Sequence, residues 1–309
     1  MVKCSLCRRN EAFYFRRYSG EYLCRKCFAE SIENKVRVTI GKHKMFETND
    51  RIAVAVSGGK DSVSLLHILS KIEKEFPKSS LCAITVDEGI KGYRDEAIRI
   101  AAQNCAQLGI EQTTVSFKEL YGFTMDEIAR KTREDKLTPC AYCGVLRRRA
   151  LNIAARKVGA DKIATAHTLD DEIQTFLLNI IHGDPLRIAR SGPVYKLKHH
   201  ELVPRTKPFC EVLERESTLY AFVKGISFQE MPCPYAGEAL RNDVRNTLNR
   251  LEEKHPGIKY TIYGSMNKIR QAMEKSVQKT PLERCEECGE PTAGKICQVC
   301  LMLRKLRSL

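Results

Sequence analysis

The sequence predicts an α/β fold, in which a doubly wound parallel sheet is flanked by a small zinc-binding module at each end of the chain. Apolar runs of strand length alternate with segments of helical apolar spacing through residues 51–206, as in proteins built from repeated βα units. The first of these runs leads directly into a glycine turn and a helix start. Four Cys-x-x-Cys pairs lie at the two ends of the chain, and this spacing is typical of zinc sites.

Composition narrows the class of protein. The 309 residues are 43% hydrophobic, which is enough for one large core with small appendages. No apolar run approaches the ~20 residues of a membrane span and no secretory signal opens the chain, so we expect no membrane association and a cytoplasmic location. The 52 Lys and Arg against 38 Asp and Glu leave a net charge of +14, which favours a polyanionic partner such as nucleic acid over a merely solubilising surface.

The N-terminal module carries two Cys-x-x-Cys pairs with a hairpin-like stretch between them. Four thiolates would close a tetrahedral site and leave no open coordination position, so the zinc is expected to be structural. Its ligands would be Cys4, Cys7, Cys24 and Cys27. Fourteen cysteines without a secretion signal argue against a disulfide framework. Residues 31–50 are then expected to form a basic connector.

The first buried strand of the α/β part, residues 52–56, ends in a glycine loop that opens a helix. The loop reads Ser57, Gly58, Gly59, Lys60, Asp61 and Ser62. A strand, a tight turn and a helix N-terminus form an anion site, because the unpaired N–H groups of the first turn and the helix dipole point at the ligand. Glycine allows a phosphate to approach the backbone, while the lysine adds positive charge and the serines add hydroxyl donors. The glycine spacing differs from that of the Walker-type loop.

Further elements follow in βα order. Strands are predicted at residues 81–86, 113–117 and 162–166, and helices at 96–108, 142–158 and 169–181. Residues 201–203 are expected to add an edge strand. Ligands of doubly wound sheets lie at the carboxyl ends of the strands. The loops 57–62, 86–89 and 166–171 should therefore surround one crevice.

The last of these loops brings two adjacent acids, Asp170 and Asp171, to a helix start. Carboxylates at such positions often serve as N-caps and first-turn charges. Two acids facing a triphosphate also suit Mg²⁺, which takes carboxylate and phosphate oxygens together. We interpret Asp171 as functional and expect His167 to line the nucleotide pocket.

A fifth pair, Cys140 and Cys143, has no second Cys-x-x-Cys nearby, and Cys233 between two prolines is the candidate third ligand. Three cysteines can hold an iron–sulfur cluster with one iron open to a non-protein ligand, or act as a persulfide carrier and its partner thiol. An inert buried pair and a zinc site completed by Cys210 are the alternatives. Three arginines at 147–149 argue against an inert pair, since cations lower a thiol pKa and bind phosphate.

The C-terminal part is predicted to be helical and basic, with helices at 213–223, 239–253 and 269–277. A second four-cysteine zinc site follows, formed by Cys285, Cys288, Cys297 and Cys300. We therefore divide the chain into an N-terminal zinc module (1–35), an α/β catalytic domain with a helical C-terminal part (36–280) and a C-terminal zinc module (281–309).

Two motifs carry a family resemblance. The 57–62 loop resembles the S-G-G-x-D-S loop of the PP-loop ATP pyrophosphatases, and residues 166–175 resemble the A-x-H-x-x-D-D-x-x-(E/Q)-T motif of PP-loop tRNA-modifying enzymes. With both zinc modules and the three internal cysteines, the chain is similar over nearly its whole length to the tRNA 2-thiouridine synthetases of the TtuA group, in the TtcA/TtuA family. TtcA proteins lack the flanking zinc modules, which disfavours cytidine as the substrate.

The resemblance implies a two-step reaction on tRNA. Uridine O2 attacks the α-phosphate of ATP–Mg²⁺, and sulfur then replaces the activated oxygen to give 2-thiouridine. A [4Fe–4S] cluster on the three internal cysteines would carry the sulfur, which sulfide or a ubiquitin-like thiocarboxylated protein would supply. The catalytic residues implied are Lys60, Asp61, Cys140, Cys143, Arg147, Asp171 and Cys233. Arg147 occupies the place of a basic residue that is important for activity in this group and is often lysine.

The resemblance also implies a nucleotide site and partners. The residues that would bind ATP are Ala55, Ser57, Gly58, Gly59, Lys60, Asp61, Ser62, Ile84, Thr165 and Asp171. Both zinc modules would hold the tRNA, and a homodimer is plausible. The T-loop position 54 is our first expectation for the modified uridine, and the wobble position 34 is the alternative.

Two other classes of protein share part of the pattern. A PP-loop ligase that uses ammonia or lysine would have the same glycine loop but no need of the three internal cysteines. A non-catalytic zinc protein that binds nucleic acid would share the zinc modules and the charge, yet it leaves the glycine loop unexplained.

Overall fold

The computed structural model describes residues 2–134, 137–195, 199, 201–236, 239–276 and 281–309. Within them the strands are β1 (Tyr14–Arg16), β2 (Glu21–Leu23), β3 (Arg51–Ala55), β4 (Ser80–Asp87), β5 (Gln112–Ser116), β6 (Lys162–Ala164), β7 (Val194–Tyr195), β8 (Arg205–Thr206), β9 (Glu283–Arg284) and β10 (Pro291–Thr292). The helices are α1 (Arg25–His43), α2 (Lys60–Glu73), α3 (Arg94–Leu108), α4 (Phe117–Tyr121), α5 (Met125–Lys131), α6 (Pro139–Lys157), α7 (Leu169–Ile181), α8 (Pro185–Arg190), α9 (Glu214–Lys224), α10 (Ala239–Lys254), α11 (Ile258–Ser276) and α12 (Gln298–Ser308).

The central sheet has six strands in the order β5-β4-β3-β6-β8-β7, and the neighbouring strands run parallel except for β7 and β8. The strand order reverses between β3 and β6. The loops after β3, β4 and β6 therefore meet at one edge of the sheet, where α/β proteins bind ligands. The predicted doubly wound parallel sheet is confirmed.

Side chains alternate between the two faces of this sheet, as the period of two requires. Ile52 and Val54 of β3 pack into one hydrophobic core with Ala83. Ala53 between them packs into a second core with Ile84. Helices cover both faces, which explains why the strands are nearly continuous apolar runs in the sequence.

Each cysteine-rich module adds its apolar residues to one of these cores. Leu23 and Phe28 of the N-terminal module belong to the core that contains Ile52. Val299 and Leu306 of the C-terminal module belong to the core on the other face. The expected hairpin of the N-terminal module is confirmed, since β1 pairs antiparallel with β2.

The prediction of a connector over residues 31–50 is wrong, because most of this segment belongs to α1. Ile32, Val36 and Thr39 are buried, and their spacing of four and three residues places them on one helix face. Two basic residues between them, Lys35 and Arg37, obscured this pattern. The helix continues past residue 35, and the three-domain division of the chain stays a prediction.

The edge strand expected at residues 201–203 is also wrong, since these residues form a turn and a bend. The Asn152 side chain takes the place of a strand partner, because it donates to the Glu201 carbonyl (3.0 Å) and accepts from the Val203 N–H (2.9 Å). The two strands β7 and β8 form this edge of the sheet instead.

Helix α11 begins well before the predicted start at residue 269. The carboxylate of Glu252, on the preceding helix, accepts hydrogen bonds from the N–H groups of Gly257 (2.8 Å) and Lys259 (3.0 Å) and so caps the helix. The predicted end, Val277, lies outside the described residues. Among the described helices, none combines the length and apolar character that a membrane crossing needs.

Candidate active site

The loop between β3 and α2 is held by hydrogen bonds between its own serines. Ser62 Oγ accepts from Ser57 Oγ (3.1 Å) and Ser57 N (3.0 Å), and it donates to the carbonyl of Gly59 (2.9 Å). These bonds fix the turn at the N-terminus of α2, where the first N–H groups have no partner within the helix. The loop therefore has the form of an anion site.

Glycine is required at position 58 for two reasons. Its φ is +87°, and a Cβ added there would lie 2.2 Å from the carbonyl oxygen of Ala97 in α3. The Gly58 carbonyl also accepts the N–H of Gln229 (2.9 Å). Gly59 has an ordinary φ of −78°, so its backbone places no such demand on the residue type.

Lys60 and Asp61 are paired at the start of α2. Lys60 Nζ lies 2.8 Å from Asp61 Oδ2 and 3.0 Å from Oε1 of Glu214. Burial raises the pKa of Asp61 against the effect of Lys60, and nearby Asp171 raises it further. Among the described residues, the buried Asp61 Oδ1 has no partner at full hydrogen-bond geometry, and the hydroxyl of Ser217 is its neighbour. A buried carboxylate oxygen next to a second acid fits a divalent cation.

The two acids at the start of α7 have different surroundings. Asp170 is buried and forms an ion pair with Lys259. Asp171 accepts from the Thr168 N–H and hydroxyl through one oxygen (2.9 Å each) and completes a capping box. Capping, one of the two roles that the sequence allowed, therefore applies to Asp171. Its charge helps to raise the pKa of Asp61, and its role in metal binding stays a prediction.

The residues expected to line the adenine pocket lie within β3 and β4 or directly after β6. Ala55 is half-buried, whereas Ile84 and Thr165 are buried. His167 lies beside them, with Nδ1 2.9 Å from Thr165 Oγ1. Desolvation by the surrounding protein and the neighbouring Lys207 lower the pKa of His167, although its side chain is exposed at the surface.

The three internal cysteines lie in one region around the N-terminus of α6. Cys140 Sγ donates to the carbonyl of Tyr235 (2.9 Å), 95 positions away in the chain and two residues after Cys233. Cys143 and Cys233 pack against the same core, and Cys233 acts through space to raise the pKa of Cys143. Three thiols in one region fit an iron–sulfur cluster with one open iron.

The arginines that follow Cys143 reach different parts of the molecule. Arg147 Nη2 donates to Cys143 Sγ (3.0 Å), whereas Arg149 lies 3.4 Å from Cys297 Sγ in the C-terminal module. Burial raises the pKa of Cys143 to about 11, because it outweighs the expected lowering by Arg147. The zinc site completed by Cys210 is wrong, since Cys210 is buried in a separate third core.

Sequence reasoning assigned no role to Glu88, which the structure places between two arginines. Its carboxylate lies 2.7 Å from Nε of Arg147 and 2.7 Å from Nε of Arg94. Arg94 in turn donates to the Ser57 carbonyl (2.8 Å). Two hydrogen bonds and two ion pairs thus link Cys143 to the glycine loop. The one available signal was the position of Glu88 at the carboxyl end of a buried strand.

Both four-cysteine sets have the geometry of a zinc site. In each set the four sulfur atoms lie within 4.8 Å of one another. The sulfurs of Cys7 and Cys24 are 3.9 Å apart and those of Cys288 and Cys297 are 3.6 Å apart, while a tetrahedron with Zn–S bonds of about 2.3 Å has edges of about 3.8 Å. Burial would raise the pKa of Cys4, but backbone N–H groups of the same module outweigh it and lower the pKa to about 6.

A glycine loop between a buried strand and a helix, at the point where the order of a parallel sheet reverses, is a nucleotide-binding arrangement of α/β proteins. The residues of this loop, Ser57–Ser62, have the pattern of the PP-loop class. Residues 29–252 match the PP-loop domain family, and residues 3–29 match the N-terminal LIM domain of 2-thiouridine synthetase TtuA. The chain belongs to the PP-loop family and, within it, to the TtcA/TtuA group of tRNA-thiolating proteins.

Known proteins resemble the chain along nearly its whole length. The tRNA-5-methyluridine(54) 2-sulfurtransferase of Pyrococcus horikoshii is 35% identical over 299 residues, which cover 97% of this chain and 93% of that protein. The tRNA 2-thiolation protein NcsA of Haloferax volcanii is 34% identical over 323 residues and all of both chains. The structure of the U34-tRNA thiolase NcsA from Methanococcus maripaludis with its [4Fe–4S] cluster matches with a TM-score of 0.86 and 34% identity, covering 99% of this chain and 97% of that one.

Proposed function

We propose that this chain is an ATP-dependent tRNA-uridine 2-sulfurtransferase, which converts a uridine of tRNA to 2-thiouridine. The observation that carries the proposal is the chain of contacts from Cys143 through Arg147, Glu88 and Arg94 to the glycine loop. A PP-loop alone would serve many ligases. A region of three thiols connected to that loop serves the insertion of sulfur into an adenylated substrate.

In the first step uridine O2 attacks the α-phosphate of ATP, and pyrophosphate leaves. The N–H groups at the start of α2 and the ammonium of Lys60 offset the charge that grows on the leaving pyrophosphate. Asp61 and Asp171 would hold Mg²⁺, which would neutralise phosphate oxygens. The base oxygen is then esterified to AMP, which leaves when sulfide attacks C2, so oxygen is exchanged for sulfur without a net change of redox state.

Cys140, Cys143 and Cys233 would hold a [4Fe–4S] cluster, whose open iron supplies a place to bind the incoming sulfide. The cluster in the relative from Methanococcus maripaludis supports this assignment. Arg147 keeps a positive charge beside Cys143, which favours the approach of anions such as sulfide. The two four-cysteine sets would each hold a structural Zn²⁺.

We propose position 54 of the T-loop as the modified uridine. The match of residues 3–29 to the TtuA module and the similarity to the Pyrococcus horikoshii enzyme support it. The wobble position 34 is the second candidate, and the likeness to the U34-tRNA thiolase structure favours it.

Partners and location complete the proposal. Sulfide or a ubiquitin-like thiocarboxylated protein would donate the sulfur, and the homodimer stays a prediction of the sequence. A cytoplasmic location is supported by relatives such as the cytoplasmic tRNA 2-thiolation protein 1 of Chlamydomonas reinhardtii, which is 38% identical over 307 residues.

An anaerobic thiolation assay tests the proposal. Protein with a reconstituted cluster is incubated with ATP–Mg²⁺, sulfide and unmodified tRNA; AMP is measured, and the digested tRNA is examined by mass spectrometry. The wild type is expected to form AMP and 2-thiouridine, and the modified fragment identifies the position. Asp171→Asn should form neither product. Cys233→Ala should form no 2-thiouridine, and its AMP should come from hydrolysis of the adenylated base by water. Cys105→Ala, which removes a buried thiol from the core on the other face of the sheet, should behave as wild type.

Each other outcome rejects a defined part of the proposal. AMP without 2-thiouridine from the wild type would indicate a PP-loop enzyme with a different nucleophile. Binding of tRNA without AMP formation would indicate a non-catalytic protein. Equal thiolation by Cys233→Ala and the wild type would remove the cluster role assigned to that residue.

A further inference from the structure

The N-terminal zinc module carries an aromatic pair that the proposed chemistry does not use. In its hairpin, Phe15 of β1 lies opposite Tyr22 of β2. The two rings are stacked, with 4.5 Å between their centroids and 24° between their planes. Both side chains stay exposed, at 42% for Phe15 and 38% for Tyr22. Two large aromatic residues thus face solvent side by side.

The other side of the hairpin attaches the module to the rest of the protein. Arg16 is buried and pairs with Glu216 in α9 (2.7 Å), and Leu23 is fully buried in the core below. The outward side contributes only a cross-strand pair, a role that aliphatic residues also fill. The folding of the module therefore does not account for two exposed aromatic rings.

Positive charge accompanies this pair. Within the module, only two glutamates, Glu11 and Glu30, are exposed. Six basic side chains are exposed: Lys3, Arg8, Arg9, Arg17, Arg25 and Lys26. Among the described residues, no carboxylate lies within ion-pair distance of any of these six except at Lys26. The turn that carries Arg8 and Arg9 adjoins Tyr22, because Ser5 exchanges hydrogen bonds with the Tyr22 backbone (2.6 and 2.9 Å).

We propose that Phe15 and Tyr22 form a stacking platform for an unpaired base of the tRNA, with neighbouring phosphates bound by the basic residues of the module. Unpaired RNA bases are commonly recognised on aromatic faces, and flanking cations follow the phosphate backbone. The unpaired arginines make an anionic polymer the complementary occupant. This inference rests on the proposed function, because that function supplies tRNA as the substrate, and it adds how the tRNA is held.

A fluorescence titration tests the platform directly. The chain contains no tryptophan, so Tyr22→Trp introduces a single reporter at the platform. Unmodified tRNA is expected to quench its emission upon stacking. Phe76→Trp, at a ring that is 39% exposed elsewhere on the surface, is the matched reporter and should keep its emission.

Affinity measurements on variants that keep the hairpin apolar complete the test. Phe15→Leu and Tyr22→Leu should each weaken tRNA binding about 10-fold with an unchanged dependence on salt, because no charge is removed. Arg17→Gln should reduce the slope of log affinity against log salt by about 1. Phe76→Leu should bind as the wild type does, and zinc content shows that each variant has kept the module folded.

The outcomes separate this inference from the proposed function. Unchanged tRNA affinity in both leucine variants, with zinc retained and thiolation intact, overturns the platform and leaves the function standing. A 10-fold loss in these variants, when the wild type binds tRNA but forms no 2-thiouridine, supports the platform and rejects the function. Quenching by an acidic protein but not by tRNA assigns the surface to a protein partner and overturns the proposal, and failure of the wild type to bind tRNA overturns both.

Discussion

Charged residues of the site that are neighbours in the sequence have different partners in the folded protein. Arg147 and Arg149 are two positions apart, yet one contacts Cys143 and the other contacts the C-terminal module. Glu88 is 4% exposed and balances the charges of Arg94 and Arg147. A buried carboxylate between two guanidiniums stabilises the fold only while all three groups are present.

Replacing Glu88 should therefore be costly. We expect Glu88→Gln to lower the free energy of unfolding by about 3 kcal/mol, because it leaves the buried Arg94 without a counter-charge. Glu75→Gln is the matched control, since it removes an exposed partner of Arg37 and should cost less than about 1 kcal/mol. Urea unfolding measures both values, and equal losses in the two variants would contradict the bridging role of Glu88.

At the scale of secondary-structure elements, the loop between β3 and α2 depends on backbone conformation more than on side chains. The loop turns through a left-handed residue at Gly58, and α3 passes directly against that position. Its serines bond to each other and to the turn. The same loop starts α2 and forms the anion site. A substitution that disturbs the loop should therefore affect both the stability of α2 and the binding of an anion.

Gly58 and Gly59 offer a matched pair of substitutions. Gly58→Ala should destabilise the protein by about 3 kcal/mol, since the new methyl group would meet the Ala97 carbonyl and φ is positive. Gly59→Ala should cost less than about 1 kcal/mol, because its φ is ordinary and the nearest atom to an added Cβ is 3.6 Å away. Thermal or urea unfolding measures the loss of stability in each variant. Similar losses in the two variants would show that steric contact and backbone conformation at Gly58 are not the cause.

The C-terminal end of α1 should contribute to the pH dependence of stability. A hydrogen bond from His43 and the charge of Lys42 outweigh burial and lower the pKa of Glu211 from 4.5 to about 2. A carboxylate with a lowered pKa stabilises the fold above its unfolded pKa, and this contribution is lost as the pH falls towards 2.

We therefore expect Glu211→Gln to lose about 1 kcal/mol at pH 6 and less at pH 3, a modest value because Lys42 is largely exposed. The free energy of unfolding is measured for wild type and variant at both pH values. Subtracting one from the other at each pH removes the effects of acid on groups that the two proteins share. A loss that is equal at pH 6 and pH 3 would exclude a charge contribution from Glu211.

In the molecule as a whole, the two cysteine-rich modules are continuous with the two cores of the α/β body. Phe28 belongs to the same core as Ile52 on one face of the sheet, and Leu306 belongs to the same core as Ile84 on the other. Metal binding in modules of this size contributes most of their folding energy. Loss of one zinc should therefore weaken the body as well as the module.

Cys24→Ser tests this coupling. We expect zinc content to fall from two per chain to one and the melting temperature to fall by about 5 °C, because Leu23 and Phe28 would leave the core. Metal analysis and calorimetry measure the two effects, and Cys105→Ala should keep both zinc ions. A lost zinc with an unchanged melting temperature would show that the module is energetically independent of the body.

The sequence by itself determined the features that depend on local pattern. The apolar run before the 57–62 loop predicted the strand, turn and helix, and the cysteine spacing predicted both four-cysteine sets, because neighbouring residues carry all the information needed. It also indicated the parallel sheet, which placed the three loops at one edge. Only the tertiary structure decided that Glu214 reaches Lys60, that Cys210 is far from Cys143, and that Glu88 joins Arg147 to Arg94. Lys60 and Glu214, like Glu88 and Arg147, are distant in the chain, and packing rather than local sequence sets which side chains meet.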